Sequence, residues 1–155
     1  MKSPRRAFAE VAGSIEHRSP AASKEEPTVP IQSDLDILVA RQNGRALAQQ
    51  LGLSTGDQTV IATVISELAR NILLYARPGW MILEVLETDG RKGLRVVARD
   101  DGPGIADIER AMQVGYSTSG SLGLGLPGVR RLVDDFEIFS RVGEGTTVTI
   151  TKWKP

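Results

Sequence analysis

The chain has 155 residues, 41% of them hydrophobic and 25% charged, which suits one domain with a buried core. Its 19 basic and 19 acidic residues cancel, so no broad basic field calls for nucleic acid or an anionic membrane. There is no cysteine, which excludes disulfides, thiol nucleophiles and thiolate metal sites, and the single histidine, His17, lies in a polar stretch where it cannot head a histidine-based active site.

Residues 1–27 read as a disordered tail, interrupted by Pro4, Pro20 and Pro27 and otherwise filled with small and charged residues. They lack the apolar block of a secretory signal, and no later run is long enough to cross a membrane, so the expected location is the cytoplasm. The folded domain is expected over 28–155 and opens with a short strand near 29–31. Ser33 suits a helix N-cap, with Asp36 three residues on as an imperfect capping box. Ile37, Leu38, Ala40, Arg41, Leu47, Ala48 and Leu51 then predict a helix to about Leu51, although Gly44 weakens it by about 1 kcal/mol relative to alanine. Gly52 ends that helix, and Ser54 caps the next with Asp57 at N3.

The second helix is the centre of the chain. Ile61, Val64, Ile65, Leu68 and Ile72 repeat at helical spacing, while Glu67 and Asn71, four residues apart, point the same way and fall on the side opposite that stripe. A carboxylate and an amide are thereby turned toward something other than the core. Arg77, Pro78 and Gly79 stop the helix, because proline cannot continue the hydrogen-bond ladder.

Two strands follow, at 80–87 and 94–98, joined by a hairpin turn at Asp89-Gly90. The second runs into Asp100-Asp101-Gly102-Pro103-Gly104. A carboxylate at a strand end, followed by glycines at alternate positions, is a ligand-loop pattern, because glycine lets a ligand approach the backbone. Its ordinary reading is a polar turn before a helix at 105–114. The stretch 115–128 is rich in glycine and serine and enters a helix near 126–133, with Pro127 in its first turn. The backbone N–H groups of Gly123, Leu124, Gly125 and Leu126 can converge there on an anion, helped by the helix dipole. No Gly-Lys-Ser/Thr follows, so it is not a Walker loop, and no strand immediately precedes it, so it is not a dinucleotide fingerprint. The chain closes with antiparallel strands at 136–142 and 146–153. The fold class is α+β: a two-layer sandwich of a mostly antiparallel mixed sheet with helices on one face.

Each motif alone has an ordinary structural reading; their fixed order is more specific. Glu67-x-x-x-Asn71, Asp100-x-Gly102-x-Gly104, Gly123-x-Gly125 and Gly145-Thr146 together resemble the GHKL (Bergerat-fold) ATPases and kinases. VARQ at 39–42, ISELARN at 65–71, GPGI at 102–105, YSTSG at 116–120 and GLPGV at 125–129 resemble one branch of it, the RsbT-type serine/threonine switch kinases of bacterial stressosomes. The resemblance runs from about Thr28 to the C-terminus and leaves 1–27 unexplained.

It implies ATP and Mg²⁺ as cofactors. Asn71 would coordinate the metal, Asp100 would bind the adenine amino group, and Gly102, Gly104 and Ile105 would flank the base. Thr118, Gly123, Leu124, Gly125 and Leu126 would cradle the phosphates, and Thr146 matches the last nucleotide-contacting threonine of the fold. Glu67 would be the general base. The implied partners are STAS-domain substrate or scaffold proteins and a downstream output protein such as a metal-dependent phosphatase, with no nucleic acid and no membrane. Two alternatives remain at this point: an anti-sigma-like sequestering module with structural nucleotide, and a simple ATPase.

Overall fold

The computed structural model describes residues 28–113 and 124–155. Thr118 and Gly123, Val114 at the end of the expected helix, and the proposed tail all lie outside the described residues.

The described chain forms β1 (Thr28–Ile31), α1 (Asp34–Gln50), α2 (Thr55–Tyr75), β2 (Gly79–Thr88), β3 (Arg91–Asp100), α3 (Ile108–Ala111), α4 (Gly125–Leu132), β4 (Asp135–Arg141) and β5 (Gly145–Trp153). The strands make one sheet in the order β1-β2-β3-β5-β4. Every pairing is antiparallel, so the expected mixed sheet has no parallel pair among the described residues. No helix among them is long and apolar enough to cross a membrane.

Local signals explain most boundaries. The Asp36 carboxylate accepts from the N–H groups of Ser33 at 3.1 Å and Gln32 at 2.7 Å, satisfying donors that the first turn of α1 leaves open. Ser54 Oγ accepts from Asp57 N at 3.1 Å and does the same for α2. α1 turns Ile37, Ala40, Gly44 and Ala48 inward. A Cβ on Gly44 would run into Ile65 of α2. The residue that weakens the helix is therefore the one that lets α1 and α2 pack closely. The β2–β3 turn holds Asp89 at φ 53° and Gly90 at φ 77°, the pair of positive angles that a two-residue hairpin matched to strand twist requires.

Register decides what faces the helices. Met81 pairs with Ala98 and Ala98 with Val148; Leu83 pairs with Val96 and Val96 with Ile150. All six are buried and, with Ile61, Val64, Ile65, Leu68 and Ile72 of α2, form the core. The same face carries Asp100 at the end of β3, two residues beyond Ala98.

The helix expected over 105–114 is only Ile108–Ala111. Pro103 and Gly104 keep the preceding loop open, Ile105 N is committed to Ser140 Oγ at 2.7 Å, and Asp107 caps the short helix through Arg110 N at 3.0 Å. α4 spans Gly125–Leu132 and so starts one residue earlier than the sequence pattern suggests.

Candidate nucleotide-binding site

Asp100 ends the central strand β3, flanked in register by Gly79 of β2 and Thr146 of β5. It is 8% exposed. Its Oδ1 accepts from Gly102 N at 2.9 Å and Thr146 N at 3.2 Å. Oδ2 makes no hydrogen bond among the described residues. Burial pushes the carboxyl above its ordinary range; the two amide bonds pull the other way, and the neighbouring Asp101 adds to the upward push. A buried carboxylate with one oxygen fixed by the backbone and the other available suits a donor such as an exocyclic amino group.

The loop after Asp100 is pinned on both sides. A Cβ on Gly102 would lie 2.6 Å from Ala76 Cα at the end of α2, and one on Gly104 would run into the Arg141 carbonyl of β4. Gly104 also has φ 78°, an angle that strains any L side chain. The room for side chains at these glycines is thus filled by the protein. They seat the loop against α2 and β4, and the loop in turn sets where a base could lie. Ile105 N is tied to Ser140 Oγ, which is 2.6 Å from Thr146 Oγ1 and donates to the Gly145 carbonyl at 3.2 Å. Sequence reading missed Ser140. Its only signal is hairpin register: β4 and β5 pair it with Thr146.

Glu67 corrects an expectation. It is 8% exposed, inside the buried arc of α2, and does not lie opposite the apolar stripe. Glu67 comes three residues after Val64 and Asn71 three after Leu68, so at 100° per residue both border the stripe. α4 covers this flank: Gly125 N, at its first residue, donates to Glu67 Oε2 at 3.2 Å. Asn71, one turn on, is half-buried. It adjoins Ile72, which a Cβ on Gly79, the register partner of Asp100, would strike. The structure therefore brings Glu67, Asn71, Gly125, Asp100, Gly102, Gly104, Ile105, Ser140 and Thr146 to one end of the sandwich. Leu124 is exposed and Leu126 half-buried at the start of α4.

No cluster of three His, Cys, Asp or Glu side chains that could hold a metal occurs among the described residues. Asn71 offers one hard amide oxygen. That fits Mg²⁺ carried in on phosphates, because Mg²⁺ keeps much of its shell from phosphate and water.

Comparison with known proteins gives the family. The family model "Histidine kinase-, DNA gyrase B-, and HSP90-like ATPase" matches residues 56–155. The chain is 51% identical over 129 residues to the serine/threonine-protein kinase RsbT of Bacillus subtilis (strain 168), covering 83% of this chain and 97% of that one. It is 34% identical over 120 residues to the anti-sigma F factor of Geobacillus stearothermophilus, covering 73% and 81%. Among solved structures, the RsbU and RsbW domains of Rv1364c from Mycobacterium tuberculosis align with TM-score 0.59 at 19% identity, over 84% of this chain and 33% of that chain, a likeness of fold. The family model spans the helix carrying Glu67 and Asn71, the buried strand-end carboxylate and the helix N-terminus facing that helix, and the chain belongs to the family of histidine kinase-, DNA gyrase B- and HSP90-like ATPases.

Proposed function

We propose that the protein is a serine/threonine kinase and switch protein that uses Mg-ATP to phosphorylate a STAS-domain stressosome protein. It then binds and activates a downstream signalling partner, such as a metal-dependent protein phosphatase, in the cytoplasm. The 51% identity to RsbT over 129 residues carries the kinase reading. Asp100 supports the nucleotide reading from the structure, through the oxygen left over after two backbone amides are satisfied.

Each residue then has a defined task. Asp100 Oδ2 accepts from the adenine amino group, with Thr146 beside it. Gly102, Gly104 and Ile105 hold the loop that flanks the base. Leu124, Gly125 and Leu126 offer backbone N–H groups to the phosphates where the dipole of α4 favours an anion, and Thr118 and Gly123 are assigned to the same cradle by the family motif alone. Asn71 would hold Mg²⁺ through its amide oxygen. When bound, Mg²⁺ neutralises charge on the transferring phosphoryl group. Glu67 orients the target hydroxyl and accepts its proton. Gly125 N is bonded to Glu67. A phosphate that takes this amide releases Glu67 from it, so phosphate binding and freeing of the base go together.

The test is transfer of labelled phosphate from ATP to a STAS-domain partner. Transfer that disappears in Glu67→Ala supports the kinase. The 34% identity to an anti-sigma factor favours a second reading, partner sequestration with structural nucleotide. Tight partner binding without transfer would select that reading, and phosphate release without a protein acceptor would select a simple ATPase.

A further inference from the structure

Ser140 belongs to no motif, yet its hydroxyl joins three parts of the site. It sits on β4 opposite Thr146 of β5. Its Oγ lies 2.6 Å from Thr146 Oγ1, accepts from Ile105 N at 2.7 Å and reaches the Gly145 carbonyl at 3.2 Å. A serine hydroxyl has one proton and two lone pairs. A carbonyl only accepts, so a bond from Ser140 to Gly145 O uses the Ser140 proton. A backbone N–H only donates, so Ile105 takes one lone pair of Ser140. All three contacts are hydrogen bonds only if Thr146 donates to the other. The single hydroxyl proton of Thr146 is then spent inside the protein, and its Oγ1 can only accept from any further partner.

We infer that Ser140 is a positioning residue for base selection: by holding Thr146 as an acceptor, it makes Thr146 Oγ1 and Asp100 Oδ2 an acceptor pair that takes a purine with an amino group at C6 and rejects one with a carbonyl there. The inference rests on the adenine assignment of Asp100. The two acceptors belong to register partners on adjacent strands, and Thr146 N already bonds Asp100 Oδ1. An adenine amino group has two N–H donors, one for each acceptor. The carbonyl of hypoxanthine would instead set its lone pairs against those of Asp100 Oδ2 and Thr146 Oγ1 in a buried place, with no donor between them. Without Ser140, the Thr146 hydroxyl is free to rotate and donate, and the discrimination relaxes. Ser140 also anchors Ile105, so its loss weakens binding of any purine; only the ratio between purines isolates its effect on Thr146.

The experiment titrates the full chain with ADP and with inosine diphosphate. Wild type is expected to prefer ADP by about a hundredfold or more. Ser140→Ala is expected to narrow that ratio by about tenfold or more, and Ser140→Thr, which keeps the hydroxyl, to restore it. A purely structural role for Ser140 lowers both affinities equally, and an unchanged ratio in folded Ser140→Ala overturns the inference. Should that variant not fold, Thr146→Val keeps the side-chain shape without the acceptor, and an unchanged ratio there overturns it equally. Asp100→Asn separates the two levels. If wild type does not prefer ADP, or Asp100→Asn leaves the preference intact, the adenine assignment itself fails. A preference that depends on Asp100 but on neither Ser140 nor Thr146 refutes the present inference alone.

Discussion

Asp100→Asn is expected to separate binding from stability, moving them in opposite directions. In the ligand-free protein the carboxylate is held in a buried place that raises its proton affinity, with burial the largest cause. The folded state therefore binds a proton more tightly than the unfolded state. For such a group, stability is fully present below the unfolded value of about 3.8 and falls as pH rises through the folded value. At neutral pH the charge destabilises the apo protein. Asparagine avoids that cost, and its Oδ1 can keep both amide bonds from Gly102 and Thr146. The apo variant is expected to melt at or above the wild-type temperature at pH 7, with the difference shrinking as pH falls toward 3.8. Binding moves the other way. Asparagine then turns its NH₂ toward the adenine amino group, donor against donor, in place of a charge-assisted bond worth about 1.5–3 kcal/mol, or roughly ten- to a hundredfold in affinity. Thermal melts from pH 4 to pH 8 with and without Mg-ADP, together with calorimetric titration, read both effects. An apo variant less stable than wild type at pH 7 would refute the burial argument. Unchanged ADP affinity in a folded variant would remove Asp100 from the site.

Three further outcomes follow from the packing. Gly44→Ala is expected to lower the melting temperature, because the added methyl meets Ile65 and overpacking costs about 1–3 kcal/mol, against about 1 kcal/mol gained in helix propensity; a rise would mean that α1 can shift freely on α2. Glu67→Ala should slow phosphotransfer by on the order of 10²–10⁴-fold while the chain stays folded, and because Gly125 N loses its acceptor, hydrogen exchange at that amide should speed up even without nucleotide; normal transfer rates would end the general-base assignment. Asn71→Ala should weaken ADP binding in the presence of Mg²⁺ and leave binding in EDTA nearly unchanged, so an equal loss under both conditions would mean that Asn71 does not act through the metal.

The elements most visible in the sequence are those set by neighbours in the chain. Asp36 and Ser54 mark helix starts because a capping bond spans three or four residues, and Asp89-Gly90 marks a hairpin because positive φ is a local demand. What was not legible depends on distant segments. The angle of Glu67 was legible, because 100° per residue sets it beside Val64 and not opposite the stripe; what lies over it was not, and the cover is α4, 58 residues later. The glycine at 102 or 104 says that a side chain is unwelcome without saying which atoms exclude it; those atoms belong to Ala76 and Arg141. Ser140 is invisible to motif reading because its function comes from strand register. The identity of the ligand was legible only through the order of four weak motifs, since none of them names a nucleotide by itself.

The two buried carboxylates share one design. Each accepts from the backbone: Asp100 from the N–H groups of nearby Gly102 and of Thr146 on β5, Glu67 from that of Gly125 on α4. Leaving either without donors would cost more than burying it with them, so the apo protein supplies donors of its own. At Asp100 the donors occupy one oxygen and leave the other for the proposed base contact, so that contact would add a bond and remove none. At Glu67 the donor is an amide from the helix end where phosphates are proposed to bind, so binding there exchanges one anion for another. The first arrangement favours a preformed base pocket. Under the proposed roles, the second makes the position of Glu67 depend on whether the phosphate position is filled, which would tie readiness for proton transfer to the presence of the nucleotide.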